Sequence, residues 1–450
     1  VVDFYKYIDR KFDQVERRYE DAPAPKPSII FSPQQQEAID AALSGRNCLI
    51  TGPGGVGKSA VIKEIVRGLR AQGKQVAITA TTGIAAIAIG GMTIHSCMGT
   101  GISGCRARQL RRMGPDSVAK AENRLGVIDT IIIDEISMAT GDMTDMWDWW
   151  LGLVMGCGGT RVFGGKQIIL SGDFLQLPPV ITDLDTDKVK NRYAFQAECW
   201  ERANFHTCYL SKSFRQDNAD FVKHLNRIRR GILAEDTIEY FRPCVGRPLD
   251  NPTQLRSTNR EALEYNTEKL RDLPGEQWTI RASFEGDERW FDALKKNCIA
   301  EEVLELKVGA PVLFVQNLPG AYTNGQRGTV IDIQEGVVKV EKTNGTIVDV
   351  IWGEWDIVNA QERQLAVMKQ IPLKLAWAIT IHKSQGMSLE RVSVDLGTVF
   401  EAGMSYVSLS RAETLEGLAL AAPLDPSQII TSAKCVQYYK DLVQKMKANQ

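Results

Sequence analysis

Close cysteine pairs, long apolar runs and an excess of charge of either sign are all missing from this 450-residue chain. The nine cysteines are scattered with no Cys-x-x-Cys among them, so neither a thiolate metal site nor a disulfide framework is expected, and a reducing compartment fits best. No run approaches the roughly 18 apolar residues that span a bilayer. The N-terminus, Val1-Val2-Asp3-Phe4-Tyr5-Lys6, lacks the apolar segment of a signal peptide. The reading is therefore an intracellular protein without a membrane association. With 54 basic against 55 acidic side chains, a polyanion has to be held by local grooves and dipoles and not by a global field. Histidine is scarce, at four residues, and no repeat of fixed period is visible.

What is present is a globular composition, 44% hydrophobic and 24% charged, over a length that suits two or three domains. Phe4, Ile8, Phe12, Val15 and Tyr19 recur at helical spacing, and the Pro-rich stretch from Asp21 to Pro27 reads as a linker. From there to about residue 200, short apolar runs alternate with helical stretches. The runs at 47–50, 75–78, 130–133 and 167–170 have the look of buried parallel strands, whose ligands bind beyond their carboxyl ends. Residues 306–351 change to alternating patterns joined by the turn Thr343-Asn344-Gly345, which predicts a small antiparallel barrel or sheet inserted into a longer α/β unit.

Gly52-Pro53-Gly54-Gly55-Val56-Gly57-Lys58-Ser59 lies between a strand pattern and a helix pattern, the context that makes it a phosphate-binding loop. Its glycines let backbone N–H groups turn inward. Lys58 is expected at the β and γ phosphates and Ser59 at Mg²⁺. The run at 130–133 delivers Asp134 and Glu135 to the same sheet edge. Alone, the pair would read as solvated loop carboxylates; beside a phosphate loop, Asp134 becomes the metal residue and Glu135 the general base. Gln176, in a proline-braced turn, is a candidate γ-phosphate sensor. Thr81, Thr82 and Gly83, and then Thr380, His382, Lys383 and Ser384, offer hydroxyls and amides after strands in the two halves of the chain. That chemistry suits a grip on a sugar-phosphate backbone, with His95 as a further candidate. Arg106 and Arg108 sit in a glycine-led basic stretch suited to phosphates at a fork. Met143, Met146, Trp147, Trp150, Leu151 and Val154 recur at helical spacing and predict a buried face, not base-stacking aromatics.

In this order the motifs resemble the PIF family of DNA helicases, RecD-like members of superfamily 1. The likeness rests on Phe31-Ser32-Pro33-Gln34-Gln35-Gln36, the phosphate loop, Thr79-Ala80-Thr81-Thr82-Gly83, Asp134-Glu135-Ile136-Ser137-Met138, Gly172-Asp173-Phe174-Leu175-Gln176-Leu177-Pro178-Pro179, Phe214-Arg215-Gln216, Ile381-His382-Lys383-Ser384-Gln385-Gly386 and Tyr406-Val407-Ser408-Leu409-Ser410-Arg411. The resemblance implies an α/β fold of two RecA-like P-loop NTPase domains. The first would cover 29–200 with a wedge insertion at 99–120, and the second 201–300 and 371–430 with an SH3-like β-barrel insertion at 301–370. A helix and linker at 1–28 and a helix at 431–450 would flank them. It further implies an ATP- and Mg²⁺-dependent, DNA-stimulated helicase walking 5′ to 3′ on single-stranded DNA. Gln35 would read adenine, Gln385 and Gly386 would meet the nucleotide, and Arg215 and Arg411 would act as arginine fingers. Expected partners are a 5′-tailed single strand and a forked duplex, with G-quadruplexes and RNA–DNA hybrids as further candidates, for a motor that is monomeric. The compartment would be the nucleus or mitochondrion in a eukaryote and the cytoplasm in a bacterium or virus. Two alternatives stay open on the residues alone: an RNA helicase, since backbone grips tolerate either sugar, and an ATP-controlled clamp that does not translocate. The segment at 139–162 departs from the family, with Met, Trp and Gly where basic residues are usual.

Overall fold

The computed structural model describes residues 30–448, apart from 83–84, 87–88, 90, 100–114, 182–188, 299, 317, 319–320, 323–325 and 359–363. The expected N-terminal helix and linker, Gly83, and Arg106 and Arg108 with most of the wedge lie outside the described residues.

The first lobe is a parallel sheet ordered β3-β2-β4-β5-β1-β6. Its strands are β1 (Cys48–Thr51), β2 (Val76–Ala80), β3 (Met92–Thr93), β4 (Thr130–Asp134), β5 (Gln167–Gly172) and β6 (His206–Tyr209). Continuous apolar runs arise here because both faces are covered. Ile132 and Ile169 pack under helices α1 (Pro33–Leu43) and α2 (Lys58–Ala71). Ile131, Ile133, Ile168 and Leu170 face the opposite core. On that side lies α3 (Gly141–Val154), N-capped by Thr140, whose Oγ1 accepts the Met143 N–H at 3.1 Å. Met146, Trp147, Trp150, Leu151 and Val154 are buried in this core and Met143 packs against it, so the periodicity was a reliable guide.

The first lobe runs past the expected boundary at residue 200, because β6 pairs with β1. Between β7 (Thr253–Arg256) and the return to the second lobe, the chain builds a β-rich insertion. Its strands are β8 (Trp278–Arg281), β9 (Ser283–Gly286), β10 (Val303–Leu306), β11 (Pro311–Phe314), β12 (Arg327–Gln334), β13 (Val337–Lys342), β14 (Ile347–Ile351), β15 (Gly353–Val358), β16 (Gln364–Gln370) and β17 (Leu373–Leu375). A five-stranded antiparallel sheet β14-β13-β12-β11-β17 forms its body. The insertion is wider than the expected 301–370, since β8 pairs with β10 and β9 with β16. The second lobe then closes as a parallel sheet β18-β7-β19-β20, with β18 (Ala378–Thr380), β19 (Val392–Val394) and β20 (Leu418–Leu420). Around it pack α4 (Ala219–Arg229), α5 (Asn259–Asp272) and the short α6 (Met404–Leu409). The last helix, α7 (Ala433–Ala448), returns to the first lobe, where Cys435, Tyr439 and Leu442 join the core of Trp147 and Phe163.

The loop after β5 ties the lobes together. Phe174 and Leu175 sit in the first core and Leu177 in the second. Asp173, fully buried, takes a two-point ion pair from Arg229 of α4, at 2.6 and 2.8 Å, and a 3.2 Å bond from the Tyr439 hydroxyl. Burial alone would raise the Asp173 pKa, but Arg229 holds it below the usual carboxylate range. Removing one partner of such a pair leaves an uncompensated buried charge. Arg229→Ala is thus expected to cost about 3–5 kcal/mol in urea unfolding, and a loss under about 1 kcal/mol would contradict the pair's role.

Candidate ATP and nucleic-acid site

The phosphate loop joins β1 to α2. Gly55 and Gly57 have φ of 79° and 82°, the left-handed region that favours glycine. At Gly52 any Cβ would run into the carbonyl of Leu210. Lys58 Nζ donates to the carbonyls of Gly52 and Pro53, both at 2.9 Å, which draws the loop around the ammonium. Ser59 lies exposed at the start of α2. Gln35, expected at adenine, is buried and spends one donor and one acceptor within the protein. Its Oε1 accepts from the Ser32 N–H at 2.9 Å to close the capping box of α1, and its Nε2 donates to the Val56 carbonyl at 3.1 Å. Val56 itself is buried, so it serves the loop through its backbone.

The acidic pair follows β4. Glu135 has φ 53° and ψ 42°, a strained conformation for a residue with a side chain, of the kind that clusters at functional sites. Three contacts hold it. Its N–H donates to Asp134 Oδ1 at 2.9 Å, Thr81 Oγ1 donates to its carbonyl at 2.8 Å, and Gln385 Nε2 of the second lobe donates to its Oε2 at 2.9 Å. Burial and the neighbouring Asp134 charge push the Glu135 pKa up to about 7. Asp134 is also raised, chiefly by burial. A base poised near neutrality is what proton abstraction at physiological pH requires.

Two cations from beyond β6 face the same loop. Arg411 is 1% exposed, and among the described residues its guanidinium donates to the carbonyls of Val407, Ser384 and Met387 and to Ser410 Oγ. Burial, followed by the like charge of Arg215, pushes its pKa down to about 9. Arg215 donates to the Ser410 carbonyl at 3.2 Å and, weakly, to that of Gly386 at 3.5 Å. A Cβ added at Gly54 would lie 3.5 Å from Arg215 Nη1, Arg411 Nη2 and the Tyr406 hydroxyl alike. A buried and a half-buried arginine with no carboxylate ion pair among the described residues, gathered at a phosphate loop, form a site for an anion. Tyr406, to which local spacing assigns no role, accepts the Gly54 N–H on its hydroxyl at 2.8 Å across the cleft. Gln176 is buried with its amide 3.3 Å from Asp173 Oδ2, which places it in the network between the lobes.

Of the expected backbone grips, Thr81 contacts the acidic pair and Thr82 Oγ1 accepts the Ala85 N–H at 3.2 Å. Thr380 Oγ1 accepts the Lys383 N–H at 3.3 Å, while His382 and Lys383 stay partly exposed. Ser384 corrects the sequence reading. It is fully buried, its hydroxyl donates to the Ile381 carbonyl at 2.8 Å, and its own carbonyl serves Arg411. His95 is half-buried: its ring packs edge-on to Trp147 with centroids 6.2 Å apart, and Nε2 is buried without a partner among the described residues.

Comparison with known proteins gives a consistent set of likenesses. The family description "PIF1-like helicase" matches residues 31–238, and "DNA helicase Pif1, 2B domain" matches 290–333. The ATP-dependent DNA helicase Pif1 of Bdellovibrio bacteriovorus is 35% identical over 421 residues, covering 92% of this chain and 93% of that one. The ATP-dependent DNA helicase PIF1 of Emericella nidulans is 31% identical over 485 residues, but this chain spans only 64% of its length. Among solved structures, the Pif1 helicase from Candida albicans superposes with a TM-score of 0.82 at 32% identity, over 92% of this chain and all of that one. A Bacteroides Pif1 bound to single-stranded DNA gives 0.74 at 27% identity, over 93% and 98%.

Proposed function

Because the chain belongs to the PIF1-like helicase family, we propose that it is an ATP-dependent DNA helicase that moves 5′ to 3′ along a single strand and separates duplex ahead of it. One observation carries this reading: the ATP site is complete only across the cleft. The first lobe supplies the phosphate loop and Glu135; Gln385, Tyr406 and Arg411 come from the second. Hydrolysis is thereby coupled to closure of the lobes, and cyclic closure is what a translocase converts into steps. Relatives solved with ADP-AlF3 and single-stranded DNA, and at forked duplex DNA, support ATP as fuel and these DNAs as partners.

The residues present fit Mg²⁺. Among the described residues no cluster of three or more metal-ligating side chains exists. A single buried carboxylate, Asp134, with the Ser59 hydroxyl suits an ion that keeps waters and phosphate oxygens as its other ligands. When bound, it would neutralise phosphate charge. Glu135 then accepts the proton of the attacking water, held in place by Gln385 and by the Thr81 bond to its carbonyl, while Arg215 and Arg411 meet the charge on the phosphates. Forked duplexes, G-quadruplexes and RNA–DNA hybrids are the substrates we assign to a monomeric motor. We place it inside the cell: nucleus or mitochondrion in a eukaryote, cytoplasm in a bacterium or virus. The scattered cysteines, with no Cys-x-x-Cys pair in the sequence, favour such reducing compartments.

Thr81 connects the expected strand grip to the base. Thr81→Val, which keeps shape and removes the hydroxyl, is expected to lower DNA-stimulated kcat about tenfold with KM for ATP little changed, the scale of one hydrogen bond. Unaltered stimulation would remove Thr81 from the coupling. The overall reading is tested by strand displacement from matched duplexes with 5′ or 3′ tails. Unwinding of the 5′-tailed DNA alone is expected. Preference for the 3′ tail would overturn the polarity, preference for RNA would favour an RNA helicase, and hydrolysis without displacement would favour the clamp.

A further inference from the structure

A cavity of about 290 Å³ opens where the second lobe meets the β insertion, between α5, β18 and the strands β11 and β17. Its floor is apolar, made by Ala262, Leu313, Val315, Ile379 and Met387, and Leu263, 57% exposed, stands among its lining residues. Thr380 and Lys383, from the expected strand grip, line one side, and Lys374 of β17 comes from the insertion. We propose that this cavity is a nucleobase pocket on the single-strand track: one base enters between the lobe and the insertion while Lys374 and Lys383 meet the adjoining phosphate. The proposal rests on the nucleic-acid reading above and names a subsite within it.

Three features decide for a base. The volume matches the small end of ligand pockets, enough for one flat ring system and too little for a folded peptide segment. The floor itself is apolar, and of the two amides that line the cavity, Asn259 is exposed at the start of α5 while Asn266 is engaged with the backbone of β18. Asn266 Oδ1 accepts the Ala378 N–H at 2.8 Å and its Nδ2 donates to the Ala378 carbonyl at 3.0 Å. A floor that holds any base by its apolar face suits a motor that must pass every sequence. Charge complements this. Lys374 is paired with Glu301 at 3.7 Å, whereas Lys383 makes no ion pair among the described residues, leaving a net positive rim. Burial and the adjacent Lys374 push the Lys383 pKa down to about 8, and the negative charge of an incoming phosphate would favour the charged ammonium against both. A base lodged here touches motor and insertion at once, so its entry and release would be felt by both.

The test compares fluorescence-anisotropy Kd values for an oligothymidylate and an abasic sugar-phosphate strand of equal length and charge. The intact protein is expected to bind the abasic strand about tenfold more weakly, the scale of one lost base contact. Ala262→Leu, which fills the floor, should bring the two affinities within about twofold of each other; Leu263→Trp, starting from an exposed position at the cavity, serves the same purpose if the interior substitution unfolds. Equal binding by the unsubstituted protein would overturn the pocket while leaving the DNA reading intact. Discrimination that survives both substitutions would overturn it as well, by placing the base contacts elsewhere. Failure to bind either strand would instead sink the nucleic-acid reading itself.

Discussion

Arg411→Ala is expected to lower the DNA-stimulated kcat for ATP hydrolysis by about 10³-fold or more, with ATP affinity changed by less than about threefold. The expectation follows from where the guanidinium stands. It is buried, faces Gly54 of the phosphate loop, and meets no carboxylate in its direct contacts. Its charge is therefore available to the γ-phosphoryl group, and the stabilisation appears mainly as charge develops in transfer. Arg411 also braces the second lobe through the Val407, Ser384 and Met387 carbonyls, so Arg411→Lys is the necessary companion. It keeps a charge but loses the fork that binds phosphate and carbonyls together. A large kcat loss in both variants with unchanged unfolding midpoints supports a finger. Retained stimulation in Arg411→Ala would remove it from the mechanism.

Glu135→Gln is expected to bind ATP and DNA normally and lose about 10²- to 10⁴-fold in turnover, the range for a positioned general base. The amide keeps the size and one hydrogen-bond acceptor for Gln385 but cannot take a proton. The pH profile gives an independent check. A base whose pKa is raised to about 7 by burial and by Asp134 is protonated and inactive below that value. Consequently kcat/KM for ATP should fall as pH drops through about 7, with Lys58 and Arg411 limiting how high the midpoint can sit. A midpoint near the ordinary glutamate value, or turnover close to wild type in Glu135→Gln, would assign the proton to another group.

The two lobes differed in how legible they were, and the reasons are physical. Buried parallel strands must be apolar on both faces, so β1, β2, β4 and β5 stood out as continuous runs. β6 was overlooked because it is the edge strand beside β1, where His206-Thr207-Cys208-Tyr209 needs only Cys208 fully inside. The insertion was recognised from its alternation, but its start was placed late, because β8 and β9 are half exposed and find their partners only through pairing with β10 and β16. At the ATP site, local spacing identified the phosphate loop and the acidic pair. What spacing could not reveal are contacts between residues far apart in the chain: Gln385 with Glu135, Tyr406 with Gly54, and Arg229 and Tyr439 with Asp173. The surroundings of Ser384 and His95 could not be read from the sequence, because hydroxyls and imidazoles look alike there whether they face solvent or the core. Only the packing against Arg411 and Trp147 separates the two cases.

The central claim is that one nucleotide is shared by two lobes whose closure is driven by a single strand of DNA. Its most direct measurement is the steady-state rate of ATP hydrolysis by the purified protein with and without a saturating single-stranded oligonucleotide. The account predicts a rise of at least about tenfold, equivalent to about 1.4 kcal/mol of barrier. An identical rate in both conditions would contradict it.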